Sequence, residues 1–89
     1  MTAPKVLIRT SPRYPELARK LHKQGIVVIE AEIGRDGVLR SARAVNAPLG
    51  FGLEESALKA LESWRFSPAL LNQQPISVFY RLSVTFTLQ

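Results

Sequence analysis

His22 is the chain's one histidine, and it stands among Arg19, Lys20 and Lys23 with no carboxylate or second ligand at metal-binding spacing. Glu30 and Glu32 fall on one strand face and Glu54 adjoins Glu55, but neither pair is accompanied by a histidine that would complete a site. These carboxylates read as solvated charges and His22 as a surface residue. Gly34, Gly37, Gly50 and Gly52 spell neither a dinucleotide-binding nor a P-loop string, so they are turn glycines. No nucleophile comes with a recognisable base. The chain has no cysteine, which removes thiol chemistry, thiolate metal sites and disulfides together. The expectation is a protein that is no enzyme and holds neither metal nor cofactor.

What remains with chemistry to offer is the main chain. Ile76, Val78, Tyr80, Leu82, Val84, Phe86 and Leu88 alternate with Ser77, Phe79, Arg81, Ser83, Thr85 and Thr87, so one face is apolar and the other almost entirely polar. At ~3.4 Å per residue this predicts one long strand of roughly 40 Å. An exposed strand edge is a row of N–H and C=O groups seeking partners, and proteins blunt it with proline, bulges or lysine. Between Ile76 and Leu88 there is no proline, glycine or lysine, only Arg81. Either another element covers this strand or it stays open to a peptide, the strand-addition mode of recognition. Phe79, outward among polar neighbours, is a contact residue or lies under the lead-in.

The elements that must position this strand follow from periodicity. Residues 1–13 form a lead-in with Pro4, Pro12 and a β-branched stretch, Val6 to Ile8, that suits a brief edge strand. The domain proper is expected over 14–89. Pro15 suits a first helical turn. Leu17, Ala18 and Leu21 make an apolar stripe, so a short helix is predicted over 15–23. From Ile26 the period changes to two, with Val27, Ile29, Ala31 and Ile33 on one face. Asp36-Gly37 marks a hairpin turn, because both residues tolerate positive φ. The returning strand, Val38 to Val45, cannot put Leu39, Ala42 and Ala44 on one face without a β-bulge near Arg40-Ser41. A loop over 46–52, a second helix over 53–64 and a loop over 67–75 complete the reading. The predicted fold is α+β: a three-stranded antiparallel sheet with two helices on one face, in the order α-β-β-α-β.

At 89 residues, with 46% apolar and 21% charged residues, the chain makes one ordinary globular domain. Its apolar runs fall far short of the ~20 residues that span a bilayer. No signal peptide is visible at the start, so export would be carried by something upstream. The net charge of +5 is concentrated early, in Lys5, Arg9, Arg13, Arg19, Lys20 and Lys23 opposed by Glu16. That leaves open a basic domain binding an anionic polymer, nucleic acid or cell-wall glycan (peptidoglycan), through the first helix. Nucleic acid is not expected, because most aromatic residues sit where packing explains them. A strand-mediated homodimer, with two last strands paired, is a third reading.

Several residues together resemble the C-terminal domains of the TonB family. They are Pro12-Arg13-Tyr14-Pro15 with Ala18, Gly25 before the alternating Val27 to Ile33, and Asp36-Gly37 at the hairpin. Ala57 and Ala60 follow, ahead of Trp64-Arg65-Phe66-Ser67-Pro68-Ala69 and a last strand ending Val84-Thr85-Phe86. The resemblance runs from about Pro12 to Leu88. It implies a periplasmic domain of a longer, inner-membrane-anchored energy transducer. Such a domain binds the TonB box of a TonB-dependent outer-membrane transporter by strand addition and passes on energy from an ExbB/ExbD-type proton motor, for uptake such as that of siderophores. It also implies a peptide-binding site, here Ile76, Ser77, Val78, Phe79, Tyr80, Arg81, Leu82, Ser83 and Val84, with Ser11 and Arg13 from the lead-in. Arg13 stands where some members carry an uncharged polar residue.

Overall fold

The computed structural model describes residues 1–46 and 48–88. Ala47, within the expected 46–52 loop, and Gln89, the last residue of the expected domain, lie outside the described residues. The elements in chain order are β1 (Lys5–Ile8), α1 (Glu16–Lys20), β2 (Gly25–Ile33), β3 (Leu39–Ala44), α2 (Leu53–Leu61), β4 (Arg65–Ser67), β5 (Ala69–Leu71), β6 (Gln74–Ile76) and β7 (Val78–Phe86).

The expected three-stranded antiparallel sheet is present, with spatial order β3-β2-β7. Its inward residues Val27, Ile29, Ala31, Ile33, Leu82, Val84 and Phe86 join Ala18 of α1 and Leu53, Ala57 and Leu61 of α2 in one buried cluster with Trp64 and Phe66. Both helices therefore cover the same sheet face. The bulge falls where the pattern required it. Glu32 pairs with Ser41 and Ile33 with Leu39, which leaves Arg40 over. Leu39, Ala42 and Ala44 can then all pack against the core.

The hairpin between β2 and β3 differs in detail from expectation. Of its two turn residues only Gly37 takes positive φ, +78°. Gly37 N–H donates to Gly34 C=O (2.9 Å) and Gly34 N–H to Val38 C=O (3.0 Å), a three-residue loop closed by a left-handed glycine. Asp36 serves through its side chain: Val38 N–H donates to Oδ1 (3.1 Å), and this bond, aided by Arg40, holds the carboxyl below its ordinary range.

Both helices are shorter than their periodicity suggested. After α1, Lys23 N–H donates to Ala18 C=O (2.8 Å) and His22 N–H to Arg19 C=O (3.1 Å), the double closure that ends a helix on a left-handed residue. His22 occupies that position at φ +54°. The stripe of α1 buries Ala18 alone, with Leu17 at 56% and Leu21 at 49% exposure. The last turn after α2 tightens, because Glu62, Ser63 and Trp64 each donate to the carbonyl three residues back.

The region 67–75, expected as loop, contains strands. β4 pairs with β1, and β5 pairs with β6 around Asn72 and Gln73, both at positive φ. That two-residue turn was hidden because glutamine is an unusual left-handed residue. The long last strand is consequently broken at Ser77. Ile33, paired with Val78, is the end of β2, so beyond it the chain has no central strand to follow and Gln74 to Ile76 pair with β5.

The lead-in forms its brief strand against β4, and Thr2 exchanges two hydrogen bonds with Leu70 (2.8 and 3.0 Å). Trp64 holds its far end: Nε1–H donates to Thr10 C=O (2.8 Å), and the Arg9 guanidinium lies 4.8 Å from the ring centre. Trp64→Phe keeps an aromatic ring in the core but deletes that donor and weakens the cation contact. The expected loss is about 1 to 2 kcal/mol in thermal unfolding, with faster amide exchange in β1.

Candidate functional site

Several residues with acid, base or ligand chemistry have structural work. Glu54, in the first turn of α2, holds the preceding loop by accepting N–H bonds from Leu49 (2.7 Å) and Gly50 (3.0 Å). Glu30 receives Arg43 (3.2 Å) and Glu32 receives the Ser41 hydroxyl (3.4 Å). His22 closes α1. What the fold leaves open is backbone.

The alternation of hydrogen bonds along β2 decides which groups of β7 are free. Val45 N–H donates to Val28 C=O, Val28 N–H to Asn46 Oδ1, and Asn46 Nδ2 to Ile26 C=O, so the main-chain groups of Ile26 and Val28 point toward β3. Alternate residues point the opposite way. Gly25, Val27, Ile29, Ala31 and Ile33 therefore face β7 and bond their register partners Phe86, Val84, Leu82, Tyr80 and Val78. The residues between, Phe79, Arg81, Ser83 and Thr85, direct N–H and C=O outward at intervals of ~6.8 Å. Among the described residues β7 pairs with β2 alone, and the lead-in runs along β4 and β5 instead.

Among the described residues the sheet edges are not equal. β3 is interrupted by the Arg40 bulge and studded with Arg40 and Arg43, which discourages pairing. β1 is four residues long with a register shift. β7 extends for nine residues without bulge, proline or lysine. Phe79 is uncovered, at 68% exposure, and Tyr80 on the helix-side face remains 37% exposed.

Of the residues expected at the site, Val78 to Val84 lie together on β7. Ile76 does not join them: it belongs to β6 and pairs with Ala69, and Ser77 is the break between the strands. Ser11 and Arg13 line a cleft of about 560 Å³ against α2, with Thr10, Ser56, Lys59 and Ser63 among its walls and no residue of β7. The Ser56 hydroxyl donates to Arg13 C=O. The lead-in does reach β7 through the next residue, because Tyr14 packs edge-on against Phe86 with ring centres 5.5 Å apart. Thr85, two residues beyond Ser83, continues the outward row, and the period of two that puts its side chain on the Ser83 face is legible in the sequence.

Fold and site define a small α+β module in which, among the described residues, the long strand β7 keeps one flank unpaired. Residues 10–88 match the family described as Gram-negative bacterial TonB protein C-terminal. Protein TonB of Vibrio cholerae serotype O1 is 30% identical over 84 residues, covering 94% of this chain and 34% of that protein. The solution NMR structure of the Pseudomonas aeruginosa TonB CTD superposes with a TM-score of 0.77 at 20% identity, over 97% of this chain and 87% of that one. The chain belongs to the TonB C-terminal domain family. It spans about a third of the length of the Vibrio relative.

Proposed function

We propose that this chain is the partner-binding domain of a TonB-type energy transducer. It takes the TonB box of an outer-membrane transporter as an added strand beside β7, in the periplasm, as part of a longer inner-membrane protein. Such a protein would pass on energy from an ExbB/ExbD-type motor through regions upstream of this domain. The observation that carries the reading is the row of outward main-chain groups at Phe79, Arg81, Ser83 and Thr85 on an edge without bulge, proline or lysine. Membership of the TonB family supports it, as does a lead-in that pairs elsewhere. No helix among the described residues is long and apolar enough to cross a membrane, which accords with a domain carried by an anchor placed elsewhere.

Amide hydrogen exchange gives a residue-by-residue test. Without peptide, the N–H groups of Tyr80, Leu82 and Val84 are protected by β2, whereas those of Phe79, Arg81, Ser83 and Thr85 exchange freely. Addition of a TonB-box peptide is expected to protect the second set by at least tenfold while leaving the first nearly unchanged, since each N–H of an edge strand gains a ladder bond. Binding with no new protection in that alternating set would sink the proposal. Alternating protection that grows with protein concentration in the absence of peptide would signal pairing of two β7 strands.

A further inference from the structure

The solvent face of the sheet carries a charge ladder that stops short. Glu30 of β2 stands directly across from Arg43 of β3 on one side and Arg81 of β7 on the other. Its carboxylate contacts both, Arg43 Nη2 at 3.2 Å and Arg81 Nε at 3.9 Å. Two arginines thus share one carboxylate, and the nearer contact belongs to Arg43. Arg81, the cation with the weaker partner, is the one at the bare edge, with its side chain 69% exposed. The sequence of charges across the sheet is plus, minus, plus, and the next place in the row is the strand that β7 lacks. One row along, Glu32 stands across from Phe79, whose exposed ring has no apolar neighbour opposite it on β2.

Resting on the strand-addition reading above, we infer that Arg81 and Phe79 select the guest: an extended peptide with a carboxylate across from Arg81 and, two residues away, an apolar side chain across from Phe79. Directly opposed side chains on paired strands are neighbours, and opposite charges or apolar pairs there favour one register over its alternatives. The guest residue between these two falls on the other face, against the half-exposed ring of Tyr80 and beside Leu82, and is apolar. Phe79 precedes Arg81, so the order of the guest's two residues reports its direction. An antiparallel guest presents the acid first and the apolar residue two positions later; a parallel guest presents the reverse.

The test uses three ten-residue peptides on one alternating valine-serine background. One carries Glu-x-Leu, one Leu-x-Glu and one Gln-x-Leu, each titrated against the protein by fluorescence anisotropy at low and high salt. One acidic order is expected to bind roughly two- to fivefold tighter than the neutral peptide, a preference that fades with salt. It should vanish in Arg81→Gln, and in Arg81→Glu should pass to a peptide bearing Lys in place of Glu. Equal affinity for all three peptides, or an acid preference that survives Arg81→Gln, overturns the inference. The underlying reading is judged separately. Protection of Phe79, Arg81, Ser83 and Thr85 by the neutral peptide upholds strand addition whatever the charge result, and absence of that protection with every peptide removes it.

Discussion

Ser83→Pro should leave the domain folded and lower the affinity for a guest strand by at least about tenfold, equivalent to ~1.4 kcal/mol. Proline lacks the N–H and is tolerated in a sheet only where that group would face away from the ladder. At Ser83 the outward group points away from β2, so the β2–β7 register loses nothing. A guest loses one donor in the middle of the row and meets the pyrrolidine ring in its path. Leu82→Pro, one residue earlier, is the contrasting variant: its N–H faces Ile29 of β2, so proline there removes a ladder hydrogen bond on the paired flank of β7 and destabilises the sheet. Thermal melts of the two proteins alongside peptide titration of the first provide the check. Should Ser83→Pro fold and bind a TonB-box peptide with unchanged affinity, the flank of β7 is not where that peptide lies.

Gly37→Ala is expected to be the most damaging small substitution in the chain. A β-carbon built there would stand 2.0 Å from the carbonyl oxygen of Phe66 and 3.1 Å from its carbonyl carbon. Those are backbone atoms, with no flexible end to swing aside. The turn cannot retreat cheaply, because Phe66 N–H donates to Gly37 C=O (3.0 Å) and the Phe66 side chain is in the core. The left-handed conformation adds ~1 to 2 kcal/mol for any residue with a β-carbon. Together with a disrupted hydrogen bond the loss should reach about 3 kcal/mol. For a domain of this size that lowers the melting temperature by roughly 4 to 8 °C per kcal/mol. Gly50→Ala isolates the packing contribution: Gly50 has nearly the same φ, +77°, but nothing within 4 Å of its added β-carbon. If the two alanine variants melt together, the seat of the turn on Phe66 does not matter to the fold.

That seat also explains why the Asp-Gly pair and the Trp-Arg-Phe block occur in one chain. Although 29 positions separate Gly37 from Phe66, the hairpin turn rests on β4 with no room for a side chain between them. Phe66 in turn pairs with Val6 of the lead-in. Trp64, two residues away, reaches Thr10 and Arg9. The block that looks like the end of a helix is thus the place where hairpin, lead-in and core meet.

Local alternation was enough for the central sheet. Val27, Ile29, Ala31 and Ile33 can face a core only if β2 is a strand, and Leu39, Ala42 and Ala44 can do so only if Arg40 is bulged out; each constraint acts over a few residues, where side-chain direction follows backbone period directly. The apolar face of the last strand was legible for the same reason, and with it the absence of edge protection. The break at Ser77, the β5–β6 hairpin, the route of the lead-in along β4 and the partial exposure of α1 were not. Each depends on where another part of the chain ends or rests, and a residue's periodicity carries no record of a distant neighbour. Which flank of β7 stays open belongs with these. Alternation assigns its side chains to faces, but only the pairing of Ile29 with Leu82 on one side, and the docking of residues 2–8 elsewhere, leaves the groups of Phe79, Arg81, Ser83 and Thr85 facing outward.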